Sequence, residues 1–155
     1  MSRRSEPETW ADAPEDRIRV LLECDPASSP SIIGPMIERR GFEVRTCEGP
    51  DSVPCDLLTS GACPLVDGAD VVVNIIRERE TAIELVNAVT AIRRPPAVLA
   101  QVKRVRAERD GRCPDDRNDV IEISPHVNSD QLVEAIGTAV ERNRQPIPIG
   151  ADRFC

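Results

Sequence analysis

Ala69 to Ile76 (ADVVVNII) reads as the strongest strand, apolar on both faces. A strand that alternates apolar and polar residues suits a half-exposed sheet. One that is apolar on both faces belongs inside a parallel sheet covered on both sides. That requirement constrains the rest of the chain, which must supply flanking strands and two layers of helix. Four further runs have the length and β-branched or aliphatic content of single strands: Arg17 to Cys24 (RIRVLLEC), Phe42 to Cys47 (FEVRTC), Ala97 to Val102 (AVLAQV) and Asp119 to Ile123 (DVIEI). Helical spacing appears between them. Ile32 to Arg40 places Ile33, Met36 and Ile37 inward, with Gly34 and Pro35 weakening the first turn and Gly41 ending it. Glu78 to Arg94 carries a stripe of Ala82, Leu85, Val86, Val89 and Ile92 and is stopped by Pro95 and Pro96. Asn128 opens a last helix, with Gln131 placed to complete a capping box and Leu132, Val133, Ile136 and Val140 as its stripe.

Strands alternating with helices predict an α/β fold: a doubly wound, five-stranded parallel sheet of flavodoxin-like order 2-1-3-4-5. Function in such sheets gathers at the carboxyl ends of the strands, here near Glu23 to Asp25, Asn74 to Arg77, Gln101 to Lys103, and Ser124 with Pro125. The chain divides into a polar tail over 1–16, one domain over 17–144, and a second tail over 145–155, where Pro146 and Pro148 forbid helix.

Composition narrows the function classes. Aromatic residues are only 2% of the chain, too few for a base-stacking platform, and the net charge of −7 opposes binding to nucleic acid or anionic membranes. The basic stretch Lys103 to Arg109 reads as a solvated face. No apolar run approaches the ~20 residues that span a bilayer. The opening MSRRSEPETW has no apolar segment behind its arginines, so a cytoplasmic location with reduced thiols is expected.

Three segments carry a family resemblance: VLLECDPASSPSIIGPMIERRGFEV (residues 20–44), PPAVLAQV (95–102) and NDVIEISPHVNSDQLVEAI (118–136). In order and spacing they resemble the receiver domains of two-component response regulators over residues 17–144. The resemblance implies a phosphorylation site, and the residues depart from it. A receiver holds Mg²⁺ on an acidic pair after strand one and accepts a phosphoryl group on an aspartate ending strand three. It also uses a Ser or Thr ending strand four and a lysine before the proline after strand five. Here the acidic loop is Glu23, Cys24 and Asp25, a weak cation site at best. The acceptor position falls on Asn74 or Ile75, neither of which forms an acyl phosphate. The hydroxyl position falls near Gln101, and the lysine position on Ser124, followed by Pro125. Losing the nucleophile and the lysine together removes the mechanism. The resemblance therefore implies a degenerate, pseudo-receiver module with no catalytic residue and no expected cofactor. It would signal through a protein partner or as a homodimer. No effector domain follows, so output is expected in trans.

The stretch between strands two and three, CEGPDSVPCDLLTSGACPLVDG (47–68), is broken by prolines and glycines that leave room for about one helical turn near Asp56 to Thr59. The second helix is expected to be replaced by a cysteine-bearing loop. Cys47, Cys55 and Cys63 recur with seven residues between neighbours. They admit three readings: small buried apolar side chains, ligands of zinc or an iron–sulfur cluster, or a redox disulfide. A redox- or metal-sensing protein using these thiols is the alternative function. A small enzyme is a third, but no nucleophile and base can be named. His126, lacking an evident Asp or Ser partner, reads as a surface or capping residue.

Overall fold

The computed structural model describes residues 9–25, 30–49, 55–101, 120–124 and 127–144. Among them, five strands form one parallel sheet in the order β2-β1-β3-β4-β5. The strands are β1 (Arg19–Glu23), β2 (Glu43–Cys47), β3 (Val71–Asn74), β4 (Ala97–Ala100) and β5 (Val120–Glu122). The helical segments are α1 (Pro30–Glu38), α2 (Asp56–Ser60), α3 (Pro64–Asp67), α4 (Arg79–Thr90) and α5 (Ser129–Arg144). This is the doubly wound, flavodoxin-like arrangement that the alternating pattern predicts. All four residues of β3 are buried, as its central position between β1 and β4 demands.

Side chains alternate across the sheet and feed two cores. On one face Leu21, Val72, Val98 and Ala100 meet Leu85, Val86 and Val89 of α4, together with Leu57 of α2 and Val66 of α3. On the other, Val20, Leu22, Val73 and Leu99 meet Ile37 of α1 and Ile136 and Val140 of α5. Local chemistry sets where the longer helices begin. Asn128 and Gln131 form a reciprocal capping box: the Gln131 N–H donates to Asn128 Oδ1 at 2.8 Å, and the Asn128 N–H donates to Gln131 Oε1 at 3.1 Å. Glu78 caps α4 by accepting from the N–H groups of Glu80 and Thr81.

Two regions differ from the sequence reading. The stretch between β2 and β3 holds two short segments: α2 falls on the helical turn expected near Asp56 to Thr59, while α3 is additional to that expectation. Gly61, at φ 80°, ends α2 and returns its N–H to the Leu57 carbonyl, while Pro64 sits at the first turn of α3, where its missing N–H costs nothing. The breakers divide the helix, and Leu57 and Val66 anchor its two pieces in the core.

The second difference is at the N-terminus, expected to be a tail up to residue 16. Residues 9–16 pack on the domain: Trp10 is 6% and Ala13 8% exposed, and the Trp10 indole N–H donates to the Leu65 carbonyl at 2.8 Å. One aromatic anchor leaves no periodic trace, so a pattern reading passes over it. Residues 1–8 and 145–155 lie outside the described residues, as do the basic stretch Lys103 to Arg109 and Pro125 with His126. No helix among the described residues is long and apolar enough to cross a membrane.

The capping box yields a direct expectation. Asn128→Ala should lower stability by about 1 kcal/mol, and Asn128→Asp should retain most of it, as read from the urea midpoint at constant slope.

Candidate functional site

The carboxyl ends of β1, β3, β4 and β5 meet at one edge of the sheet, and register decides which residues face each other. Glu23 lies opposite Asn74, and Asn74 opposite Ala100. Both Glu23 and Asn74 are buried, at 2% and 0% exposure, in a surround that is otherwise apolar. Asn74 Nδ2 donates to Glu23 Oε2 at 2.9 Å, and Asn74 Oδ1 accepts from the Ile76 N–H at 3.2 Å. The backbone continues the clasp: the Ile75 N–H donates to the Glu23 carbonyl at 2.9 Å, and the Gln101 N–H to the Asn74 carbonyl at 3.3 Å. Beyond the end of β1, Asp25 Oδ2 accepts from the Arg77 N–H at 2.8 Å. The turn leaving β3 is therefore fastened to the end of β1 at three levels.

Of the two positions that sequence leaves open for the acceptor, Asn74 occupies the polar mouth. Ile75 packs into the opposite core. Gln101 is half-buried past β4, and Ser124 is exposed past β5. Lys103, the chain's one lysine, follows β4 in sequence and lies outside the described residues. The Glu23–Asn74 contact itself was not legible in the sequence, because it needs the β1–β3 register.

Burial governs the electrostatics. Desolvation pushes the Glu23 carboxyl up to about 7, with the Asn74 amide acting in the opposite direction. Cys24 is pushed up to about 11, first by burial and then by the neighbouring Cys47 and carboxylates. Cys47 is raised by burial and by Glu23, Cys55 and Cys63, against a lowering hydrogen bond from the Gly49 backbone. Chemically, the mouth offers a carboxyl that holds its proton near neutral pH and an amide that cannot be phosphorylated. Both are buried.

Cys47, Cys55 and Cys63 do lie against the same core. Cys47 closes β2, while Cys55 and Cys63 precede α2 and α3 as extended cap residues. Cys24, Cys47, Cys55 and Cys63 are all free thiols. Among the described residues no three of His, Cys, Asp and Glu form a group that could hold a metal ion, so the metal-ligand reading of the three cysteines finds no support there.

A search of solved structures returns the crystal structure of a response regulator receiver domain protein from Bacillus halodurans C-125. The match has a TM-score of 0.56 and 16% identity, and it covers 79% of this chain and 97% of that one. At that identity the likeness speaks for the fold, which is receiver-like. No protein-family model matches the chain, and a search of curated proteins returns no match.

The buried carboxyl makes stability depend on pH. Glu23 keeps its proton to about pH 7 in the fold, against an ordinary value of 4.5. Its contribution is complete below pH 4.5, falls as pH rises towards 7 while only the unfolded chain releases the proton, and then levels off at a loss of about 3 kcal/mol. Glu23→Gln should remove that fall. Urea unfolding at pH 5, 7 and 8.5 should show the variant gaining on the parent as pH rises.

Proposed function

We propose that this domain is a receiver-like signalling module that works without phosphorylation and delivers its output by binding a protein, either a distinct partner or a second copy of itself. The observation that carries this reading is the Asn74 amide, clasped by Glu23 at the exit of β3. That is the place where the resemblance calls for an aspartate nucleophile. Ser124, past β5, has no charge with which to steady a phosphoryl group. The five-stranded receiver-like sheet with the Glu23–Asn74 pair buried at its carboxyl edge supports recognition over group transfer. The reading assigns no catalytic step and needs no cofactor.

The thiols of Cys47, Cys55 and Cys63 offer the alternative of a redox- or metal-sensing protein. It has less support, because burial raises Cys47 and slows it as a nucleophile, and no metal-holding group is found among the described residues.

Incubation with acetyl phosphate and Mg²⁺ followed by intact mass measurement tests the proposal. The expected result is no gain of a phosphoryl group on the folded protein, and none on Asn74→Asp, since Ser124 still stands where a lysine is required. A stable aspartyl phosphate on the parent chain would defeat the reading. Tryptic mapping would then show whether Asp25 or another residue carries it.

A further inference from the structure

Residues 9–17 form an arm held to the domain by one large side chain. Along it Ala11, Asp12, Pro14, Glu15, Asp16 and Arg17 are exposed, while Trp10 and Ala13 are buried. Trp10 lies against α3, a helix of four residues that is too short to sustain itself. The backbone bonds that close α3 run from Asp67 to Cys63, from Gly68 to Pro64 and from Ala69 to Val66, and they pass over the carbonyl of Leu65. The Trp10 indole supplies the donor for that carbonyl, at 2.8 Å. Space for the ring depends on Gly68, where a Cβ would stand 2.5 Å from Trp10 Cδ1, although the backbone there does not itself require glycine. From the sheet side, the guanidinium groups of Arg45 and Arg19 lie 5.3 and 5.9 Å from the ring centroid, and Arg45 Nε donates to the Thr9 carbonyl at 3.2 Å.

The indole thus caps a marginal helix from outside, and the residue before that helix is Cys63, a half-buried thiol. We propose that the arm is a releasable strap controlling the exposure of the α3 segment. With Trp10 seated, α3 is capped and Cys63 is sheltered. With Trp10 withdrawn, the Leu65 carbonyl loses its donor, Val66 loses the ring beside it, and the Cys63 thiol opens to solvent while the sheet stays intact. This inference rests on the packing of the arm and stands apart from the phosphorylation-independent reading.

The strap is tested by pulsed alkylation of the full chain with N-ethylmaleimide under reducing conditions, with the rate at each cysteine read by peptide mass spectrometry. Trp10→Ala removes the anchor. Gly68→Ala evicts it without touching the arm. Trp10→Phe keeps a ring and deletes only the N–H. The expected result is a rise on the order of tenfold in labelling at Cys63 for the first two variants, the scale of one buried hydrogen bond with its packing. Trp10→Phe should show a smaller rise, and Cys24, deep in the opposite core, should stay slow throughout. An unchanged Cys63 rate in both Trp10→Ala and Gly68→Ala would overturn the proposal. So would a rise at Cys24 in step with Cys63, which would mean that the whole domain, and not the strapped segment, had opened.

Discussion

Where β1 and β3 leave the sheet side by side, the carboxyl of Glu23 meets the amide of Asn74 in a place closed to solvent. Either group alone would be costly there, because a buried polar side chain without a partner forfeits its hydration. Together they satisfy each other, and Asn74 passes the constraint on through its Oδ1 to the Ile76 N–H. The turn out of β3 is fixed by this exchange, and the exit of β4 is tied to it by the Gln101 N–H. The same burial leaves Glu23 holding a proton near neutrality. A parallel sheet collects its strand ends at one edge, which in this fold is where ligands ordinarily bind. Here Glu23 and Asn74 meet each other at that edge.

Away from the mouth, the fold covers its two faces by different means. α1 and α5 cover one face, and the capping box of Asn128 and Gln131 fixes where α5 begins. Among the described residues, the opposite face has one long helix, α4, and beside it the two short pieces α2 and α3. Trp10 fills the remaining space, wedged against Gly68 and overlaid by two arginines from the adjacent strands. The buried residues Trp10 and Ala13 of the N-terminal arm therefore belong to the domain core, with Trp10 packed against α3.

Much of this was legible in the sequence, for reasons that differ by element. Ala69 to Ile76 announced a central strand because both of its faces are apolar, and the order of strands followed from alternation with the stripes of α4 and α5. The capping box was readable because it acts within four residues. Trp10 was not, since its partner Leu65 is 55 residues away and a lone aromatic has no period. The helical turn of α2 was expected near Asp56 to Thr59, whereas α3 was hidden by prolines and glycines that usually abolish helix and here only bound it. At the mouth, Asn74 and Ile75 stayed equivalent to a reading of the sequence, because a strand apolar on both faces gives no cue to which face a terminal residue takes. Register resolved them by setting Asn74 beside Glu23.

The closed mouth can be probed without waiting for covalent chemistry. Backbone amide NMR spectra recorded with and without Mg²⁺ and beryllofluoride, a stable mimic of a phosphoryl group, report directly on the strand ends. If the Glu23–Asn74 clasp occupies the site, the amides of Glu23, Ile75, Ile76 and Gln101 keep their positions at saturating additive. New, slowly exchanging resonances at those residues would show that the mouth opens to a phosphoryl ligand, and would contradict the reading of the domain as a receiver scaffold without phosphotransfer.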